Sequence, residues 1–277
     1  MNDSNFHGMH CRNCGAEFIT ASRSADTYCR FCSTPTLVMQ DYPDMQAPDL
    51  IIPFEIDKAH ARQIFAKHLS KRPLTSHVFS QKVSSGFIRE IYIPVLLADM
   101  SITTQAVALD RLGNERTSKV VSHSPYAHSN LSRMIDDFLF ANLSAYNFSK
   151  AVAYSEGNRD IPFEKPQGNS LAQAEDEIES VAIKEAIDAL GERENISKIV
   201  SVNKTDTQRT EKIALLPVWV LSHTSGGFTS RIFINGQNGN IIGEPPVSLK
   251  RCAAIFGGIA AGCTLIGELI WMAVNGL

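Results

Sequence analysis

The feature that most constrains this chain of 277 residues is a long apolar run near its C-terminal end, over residues 252–274. The run carries one charged residue, Glu268. A helix rises about 1.5 Å per residue, so a helical run of this length spans roughly 34 Å, against about 30 Å for the hydrocarbon core of a bilayer. The run therefore predicts a transmembrane helix over 252–274.

A buried or interfacial helix is the alternative for this run. Glu268 favours it, because an acidic residue at mid-helix costs about 2.5 kcal/mol or more to insert. Glu268 lies nearer the far end of the run, which weakens that objection. Lys250 and Arg251 stand directly before the run, and no lysine or arginine follows it. By the positive-inside rule we expect a single-pass, tail-anchored cell-membrane protein with residues 1–249 in the cytoplasm.

Two glycines inside the run, Gly258 and Gly262, form a G-x-x-x-G pattern. This pattern lets two membrane helices approach closely, although glycine can also simply fill an apolar run. Because the small residues accompany Glu268, we predict self-association or a protein partner through this face, in addition to contact with membrane lipid.

Four of the six cysteines form two C-x2-C pairs that are separated by fourteen residues. They are Cys11, Cys14, Cys29 and Cys32. Each short loop can hold two thiolates at about 2.3 Å from one zinc ion. Gly15 permits a positive φ after the first pair, whereas Ser33 follows the second pair. The spacing predicts a structural Zn²⁺ site with these four cysteines as ligands, in a zinc ribbon over residues 1–40.

Two disulfides, or redox-active C-x-x-C pairs, are the alternatives for these cysteines. Residues 1–7 have neither a basic nor an apolar region of the kind that directs secretion, so we expect reduced thiols that bind zinc. His7 and His10 are close enough in sequence to replace a thiolate. Since four cysteines already complete a tetrahedral site, we expect both histidines to be exposed.

Many zinc ribbons bind nucleic acid, so the charge of residues 1–40 matters. Three arginines are balanced there by three acidic residues: Arg12, Arg23 and Arg30 against Asp3, Glu17 and Asp26. Four thiolates around one zinc ion add two negative charges, and the whole chain has a formal net charge of -3. Without a basic surface there is little attraction for phosphate. We therefore expect the ribbon to pack against protein rather than nucleic acid.

The middle of the chain predicts two αβ segments. In the first, over residues 49–150, Asp57 caps an amphipathic helix over 58–69, strands follow over 87–98, 101–109 and 119–123, and a helix covers 130–142. In the second, over residues 170–247, a helix over 171–190 precedes strands over 196–203, 212–222, 228–234 and 241–243. Each segment thus has a helix followed by an antiparallel meander, which predicts an α+β fold with two such modules.

Two further features of these segments are prolines within predicted strands and a cluster of acidic residues on a predicted helix. Pro94 and Pro217 each lie in an apolar strand, and because proline lacks an N–H we expect them at a sheet edge, at a bulge or at the start of a strand. The helix over 171–190 carries an acidic cluster in its first half. We interpret this cluster as a solvated face that stabilises the helix N-terminus rather than as a metal site.

Several stretches of the chain match a known pattern: YCRFCSTPT at 28–36, PDLIIPF at 48–54, YIPV at 92–95, LLPVWVL at 215–221 and NGQNG at 235–239. Together they resemble bacterial membrane proteins with a transcription-factor-IIB-type zinc ribbon. The resemblance implies that the four cysteines bind zinc. It also implies that the helix-plus-meander segments are PepSY-like modules, small αβ units that bind peptides or pack against partners.

No catalytic pattern is present in the sequence. The histidines outside the ribbon have no known catalytic or metal-binding spacing: His60, His68, His77, His123, His128 and His223. H-E-x-x-H, G-x-S-x-G and G-x-x-x-x-G-K motifs are absent. We therefore expect a non-enzymatic, membrane-tethered adapter or regulator that binds other proteins. A membrane-associated nucleic-acid-binding protein that uses the ribbon is the alternative, and a thiol-disulfide enzyme is a third class.

Overall fold

The computed structural model of the chain describes residues 6–20, 28–35, 37–42, 45–84, 87–143, 145–155, 161–168, 172–191, 195–225 and 228–276. These residues form a mixed α+β structure around one large sheet. The strands are β1 (Phe6–Cys11), β2 (Glu17–Thr20), β3 (Leu37–Tyr42), β4 (Leu50–Ile51), β5 (Arg89–Asp110), β6 (Glu115–Asn130), β7 (Val152–Ala153), β8 (Phe163–Glu164), β9 (Ile196–Ser225), β10 (Phe228–Asn235) and β11 (Ile241–Ile242). The helices are α1 (Lys58–Ser70), α2 (His77–Ser84), α3 (Asp137–Leu143), α4 (Ala172–Asp188) and α5 (Leu249–Asn275).

Two very long strands, β5 and β9, form the centre of the sheet. They pair antiparallel from Arg89 opposite Val220 to Asp110 opposite Ile196. The sequence predicts two shorter strands in place of each. The polar residues 204–211 break the apolar pattern of β9, yet their backbone continues the ladder with β5 while the side chains of 204, 205 and 207–211 are exposed. Backbone pairing, rather than burial, therefore keeps this stretch extended.

The helices pack across the two predicted modules. Phe65 of α1 and Phe79 of α2 lie in one core cluster with Trp219 of β9 and Ile232 of β10. Conversely, Ala186 of α4 packs with alanines of β5. Helices α1, α2 and α4 thus cover strands from the other half of the chain, because β5 and β9 are neighbours in one sheet. The module boundaries 49–150 and 170–247 stay predictions, but the cores of the two segments are shared.

The ribbon strands belong to the same sheet. The strand order runs β11-β10-β9-β5-β8-β2-β1-β3. Strand β6 is off this path: it pairs with β5 on the edge opposite β9, beyond the residue of β5 that pairs with β8. The short strand β8 makes the link, since Phe163 pairs with both Ile19 of β2 and Tyr92 of β5. The cysteine-bearing segment is therefore continuous with the central strands.

Both strand prolines lie inside the central strands, which differs from the predicted edge, bulge or strand start. Pro94 pairs opposite Leu215, at the point where the neighbour of β5 changes from β8 to β6. Pro217 lies just beyond the residues of β9 that pair with β10. The missing N–H is tolerated at both positions because a neighbouring strand ends there.

The helices agree with the sequence where the signal is local. Asp57 caps α1, and its Oδ1 accepts a hydrogen bond from the His60 N–H at 2.7 Å. Helix α4 matches the prediction closely, but α3 covers only the second half of the predicted 130–142, since β6 extends to Asn130 and residues 131–136 form no helix. Helix α2 was not predicted; it has only eight residues and carries two buried apolar side chains, Phe79 and Val83.

The C-terminal helix α5 has 27 residues and no buried residue. It begins at the N-cap Ser248 and ends at Gly276, which takes a left-handed conformation with φ 70°. The helix is long and apolar enough to cross a membrane. The alternative of a buried C-terminal helix does not apply to this structure, because no residue of α5 is buried and its apolar window has no contact that covers it in the described body.

Candidate metal centre

The first cysteine pair lies on a tight turn, or knuckle, between β1 and β2. The Cys11 N–H donates to the Ala16 carbonyl, and the Gly15 N–H donates back to the Cys11 carbonyl, both at 2.8 Å. Gly15 has φ 74°, the left-handed conformation that the sequence predicted for it. These bonds turn the backbone so that Cys11 and Cys14 face the same side.

The second knuckle repeats this geometry without a glycine. The Cys29 N–H donates to the Thr34 carbonyl and the Ser33 N–H donates to the Cys29 carbonyl, both at 2.9 Å. Ser33 has φ 59°, the only positive value among the described non-glycine residues. Its hydroxyl lies 2.8 Å from the Ser222 hydroxyl on β9. This contact offsets part of the cost of the left-handed backbone, which is about 1 kcal/mol.

The two knuckles bring four sulfur atoms together. Cys11 Sγ and Cys32 Sγ are 3.6 Å apart, as are Cys14 Sγ and Cys29 Sγ, and all four lie within 4.8 Å of one another. Tetrahedral zinc with Zn–S bonds of about 2.3 Å places its sulfurs about 3.8 Å apart. Disulfides require about 2.05 Å, and all four thiols are free. The predicted cluster is confirmed, and its donor set and spacing fit Zn²⁺.

Hydrogen bonds among Cys14, Cys29 and Cys32 change the pKa of each of these thiols. Hydrogen bonds from the Cys14 and Cys29 thiols lower the pKa of Cys32, and the Thr34 hydroxyl, 2.8 Å from Cys32 Sγ, acts in the same direction. The same bonds, to Cys14 first and then to Cys32, raise the pKa of Cys29 together with burial. These hydrogen bonds thus favour the thiolate form of Cys32 and the thiol form of Cys29. A dication replaces these protons and satisfies all four sulfurs together.

The second knuckle is fixed to the central sheet by side chains of β9 and β10. Arg231 Nε donates to the Phe31 carbonyl and Thr224 Oγ1 donates to the Cys32 carbonyl, each at 2.9 Å. The Phe31 ring stacks on Phe18 of β2 with 5.5 Å between ring centroids. Three of the four cysteines are buried in the same core cluster as Ile91 and other residues of β5, β9 and β10. The metal centre is therefore part of the main core.

A buried carboxylate that the sequence did not predict lies in the strand that links the ribbon to β5. Glu164 of β8 is 1% exposed and pairs with Phe18 of the ribbon. It accepts hydrogen bonds from the Ser132 hydroxyl at 2.5 Å and from the backbone N–H groups of Arg133 and Met134 at 2.8 and 3.1 Å. Burial raises the pKa of Glu164 to about 7 despite these donors. No periodic pattern surrounds Glu164, so its burial could not be read from the sequence.

The histidines do not join the metal centre. His7 and His10 lie on β1, where both are half-buried rather than exposed as predicted, because β1 is the inner strand of the ribbon. His7 Nδ1 lies 2.8 Å from Asp41 Oδ1. The other histidines are spread over α1, α2, β6 and β9. Within the described ranges, the four cysteines are the one group of three or more His, Cys, Asp or Glu at metal-binding distance.

Loss of one thiolate should remove the metal. We expect Cys29→Ser to lower zinc from one ion per chain to near zero, and to destabilise the whole described body by at least about 3 kcal/mol, because the centre lies in the shared core. Metal analysis and thermal unfolding in detergent measure both effects. Cys263→Ser, at an exposed position on α5, is the control and should retain zinc. Unchanged zinc in Cys29→Ser would contradict the assignment.

Substitutions at Ser33 should show how much the positive φ of this residue lowers the stability of the protein. Ser33→Ala removes the hydroxyl contact and keeps the strain, so it should destabilise the protein by about 1 kcal/mol. Ser33→Gly also loses the contact but relieves the strain, so its stability should stay close to that of the unmodified protein. Chemical unfolding of both variants measures this difference. An alanine variant as stable as the glycine variant would show that Ser33 is not strained.

Glu164 should make stability depend on pH. The pKa of Glu164 in the folded protein, about 7, lies above the ordinary 4.5, so protonation of Glu164 favours folding. This contribution to the free energy of unfolding is fully present below pH 4.5 and is lost as pH rises through 7. We expect about 2 to 3 kcal/mol less stability at pH 8 than at pH 5, and a flatter profile in Glu164→Gln. Urea unfolding across this interval is the measurement. Glu179→Gln, which changes an exposed partner of Lys204, should keep the original slope.

Comparison with known proteins gives one informative similarity. The chain is 27% identical over 254 residues to the uncharacterized protein YdjG of Bacillus subtilis (strain 168), and the alignment covers 83% of this chain and 73% of YdjG. No family model matches the chain. No solved structure matches it either. The similarity extends over most of the chain, but the name of this relative gives no function.

Proposed function

We propose that this protein is a non-enzymatic, single-pass membrane protein whose folded body binds other proteins as an adapter or regulator on the cytoplasmic side. The observation that carries the proposal is α5, an apolar helix of 27 residues that leaves a folded body without burying any of its side chains. An apolar surface of this size requires lipid or protein around it. The lipid around a tail anchor is the simplest environment for this surface.

The junction between α5 and the body supports a defined arrangement at the membrane surface. The Ser248 N–H donates to the Leu74 carbonyl at 2.8 Å, and Thr75 forms a β-bridge with Val247. Arg251 Nη1 donates to the Thr75 carbonyl at 2.9 Å. These bonds hold the first turn of α5 against the loop between α1 and α2. This loop would then lie at the lipid headgroups.

The charges at this junction favour a cytoplasmic body. Lys250 and Arg251 lie in the first turn of α5, and no basic residue follows them. Positive residues are retained on the cytoplasmic side during insertion. Gly258 and Gly262 are on the lipid-exposed part of α5, with nothing within 4 Å of a Cβ at either position. In this proposal they provide a surface for self-association or for a membrane partner.

The position of the metal centre supports a structural role for zinc. Three of the cysteines are buried, and backbone carbonyls of the second knuckle accept hydrogen bonds from β9 and β10. A ribbon held in this way has one face occupied by its own sheet. We therefore propose that zinc orders the body, and that protein partners bind elsewhere on its surface.

Removal of residues 252–277 should release a soluble protein that still binds zinc. The full chain should stay in the membrane pellet after carbonate extraction, whereas the truncated chain should appear in the supernatant. A control that shortens the chain only by residues 276–277 should behave as the full chain. Membrane association of the truncated chain that resists carbonate would contradict the anchor.

The adapter role is tested by purification of the intact protein from its native membrane in mild detergent. We expect specific proteins to co-purify in amounts that follow the bait, and no salt-dependent retention on DNA or RNA. Retention on nucleic acid that falls as salt rises, without protein partners, would instead favour the nucleic-acid-binding alternative.

A further inference from the structure

A groove runs between strand β6 and helix α4; we call it the β6–α4 groove. It consists of two adjoining cavities of about 350 and about 340 Å³. Ser124 of β6 and Glu177 and Ile178 of α4 line both cavities, so the two form one elongated depression. The first cavity continues toward α3, where Asp137 and Phe140 line it. An elongated shape fits a chain segment better than a compact small molecule.

The groove follows the edge of the sheet. Consecutive residues of β6 line it, 126–130 in one cavity and 122–124 in the other. Successive side chains of a strand point to opposite faces, so a cavity lined by consecutive residues lies along the strand edge. Among the described strands β6 pairs only with β5, which leaves its outer backbone edge unpaired. An edge of this kind accepts an additional strand from another chain.

The side chains that line the groove carry negative charge, which indicates the kind of ligand that it can bind. Three carboxylates line it, those of Asp137, Glu177 and Glu185, whereas its described lining includes no lysine or arginine. Two of the three already accept a hydrogen bond within the protein, Glu185 from the Ser122 hydroxyl at 2.5 Å and Asp137 from Asn130 Nδ2 at 3.1 Å, whereas Glu177 is exposed. Nucleic acid and anionic lipid are disfavoured by this surface, because like charges would face each other. A cationic ligand is favoured.

Aromatic side chains add a second preference for cations. The Tyr126 ring is 44% exposed and stacks on Phe148, with 6.0 Å between ring centroids. His128 Nδ1 lies 3.0 Å from the Tyr126 carbonyl. A carbonyl can only accept, so Nδ1 carries the proton and Nε2 is an acceptor in the neutral ring. Along its length the groove therefore offers cationic side chains both carboxylates and an exposed aromatic ring.

We propose that the β6–α4 groove binds an extended, lysine- or arginine-rich segment of a partner protein. The segment adds to the free edge of β6 and places its cationic side chains against Glu177, Asp137 and the Tyr126 ring. Pro125 has no N–H to donate to an added strand, so it divides the pairing into two short stretches. This inference deepens the proposed adapter function and rests on it for the choice of a protein as ligand.

The test uses the full chain in nanodiscs of phosphatidylcholine and a fluorescein-labelled nonapeptide in which lysine alternates with valine and threonine. We expect fluorescence anisotropy to show saturable binding that weakens as salt concentration rises. The same peptide with glutamate at each lysine position should not bind. A peptide with alternate backbone nitrogens methylated should bind at least about tenfold more weakly, because it cannot pair with β6. Equal binding of the lysine and glutamate peptides would overturn the proposal.

A matched pair of variants locates the contact. Glu177→Lys replaces an attraction by a repulsion and should weaken binding of the lysine peptide about tenfold. Glu115→Lys makes the same change in net charge at an exposed position at the start of β6, outside the groove, and should bind normally. Zinc content and thermal unfolding show whether both variants are folded. Equal affinity in the two variants would overturn the proposal.

A photocrosslinking peptide that carries p-benzoylphenylalanine at its centre gives an independent location. We expect crosslinks within 122–130, on α3 or on α4, and crosslinks confined to other elements would overturn the site. The adapter function is judged separately by co-purification. Partners recovered equally with the full chain and with Glu177→Lys would leave the adapter function standing and overturn the groove as their docking site. Peptide binding without any co-purifying protein would support the groove and count against the adapter function.

Discussion

The pairing of β5 with β9 is the interaction on which the rest of the structure depends. β6 and β8 pair with β5, β10 pairs with β9, and the ribbon strands join the sheet through β8. Helices α1 and α2 pack with β9 and β10, whereas α4 packs mainly on β5 and β6. The paired residues are far apart in sequence, so their association costs loop entropy that only extensive burial can offset.

The zinc ribbon is bound into this arrangement at several points. Phe31 and the buried cysteines lie in the same cluster as Ile91 and Val218 of the central strands, and Arg231 and Thr224 donate to the backbone of the second knuckle. Metal binding in small ribbons normally folds the ribbon alone. In this chain the same four bonds to a metal would also fix a large part of the core, so a bound zinc ion would stabilise the whole body.

Two surfaces of different charge and one buried carboxylate lie around this core. The first turn of α5 combines Lys250 and Arg251 with the loop between α1 and α2, and suits a lipid headgroup region. The β6–α4 groove has the opposite charge, and its carboxylates, such as Glu177, together with the exposed ring of Tyr126 favour cations. The buried Glu164 lies between the ribbon and β5. In the arrangement that we propose, the basic junction meets the membrane and the acidic groove binds a basic partner, each at its own surface.

The sequence by itself determined the features that depend on neighbouring residues: the cysteine spacing that forms the metal cluster, the apolar length of α5, and the Asp57 cap of α1. Only the tertiary structure decided that polar residues 204–211 continue β9, that helices pack on the other half of the chain, and that Glu164 is buried. It also placed Ser33 in a left-handed conformation. These outcomes arise from partners distant in the chain, and an exposed strand or an isolated buried acid leaves no periodic pattern from which they could be predicted.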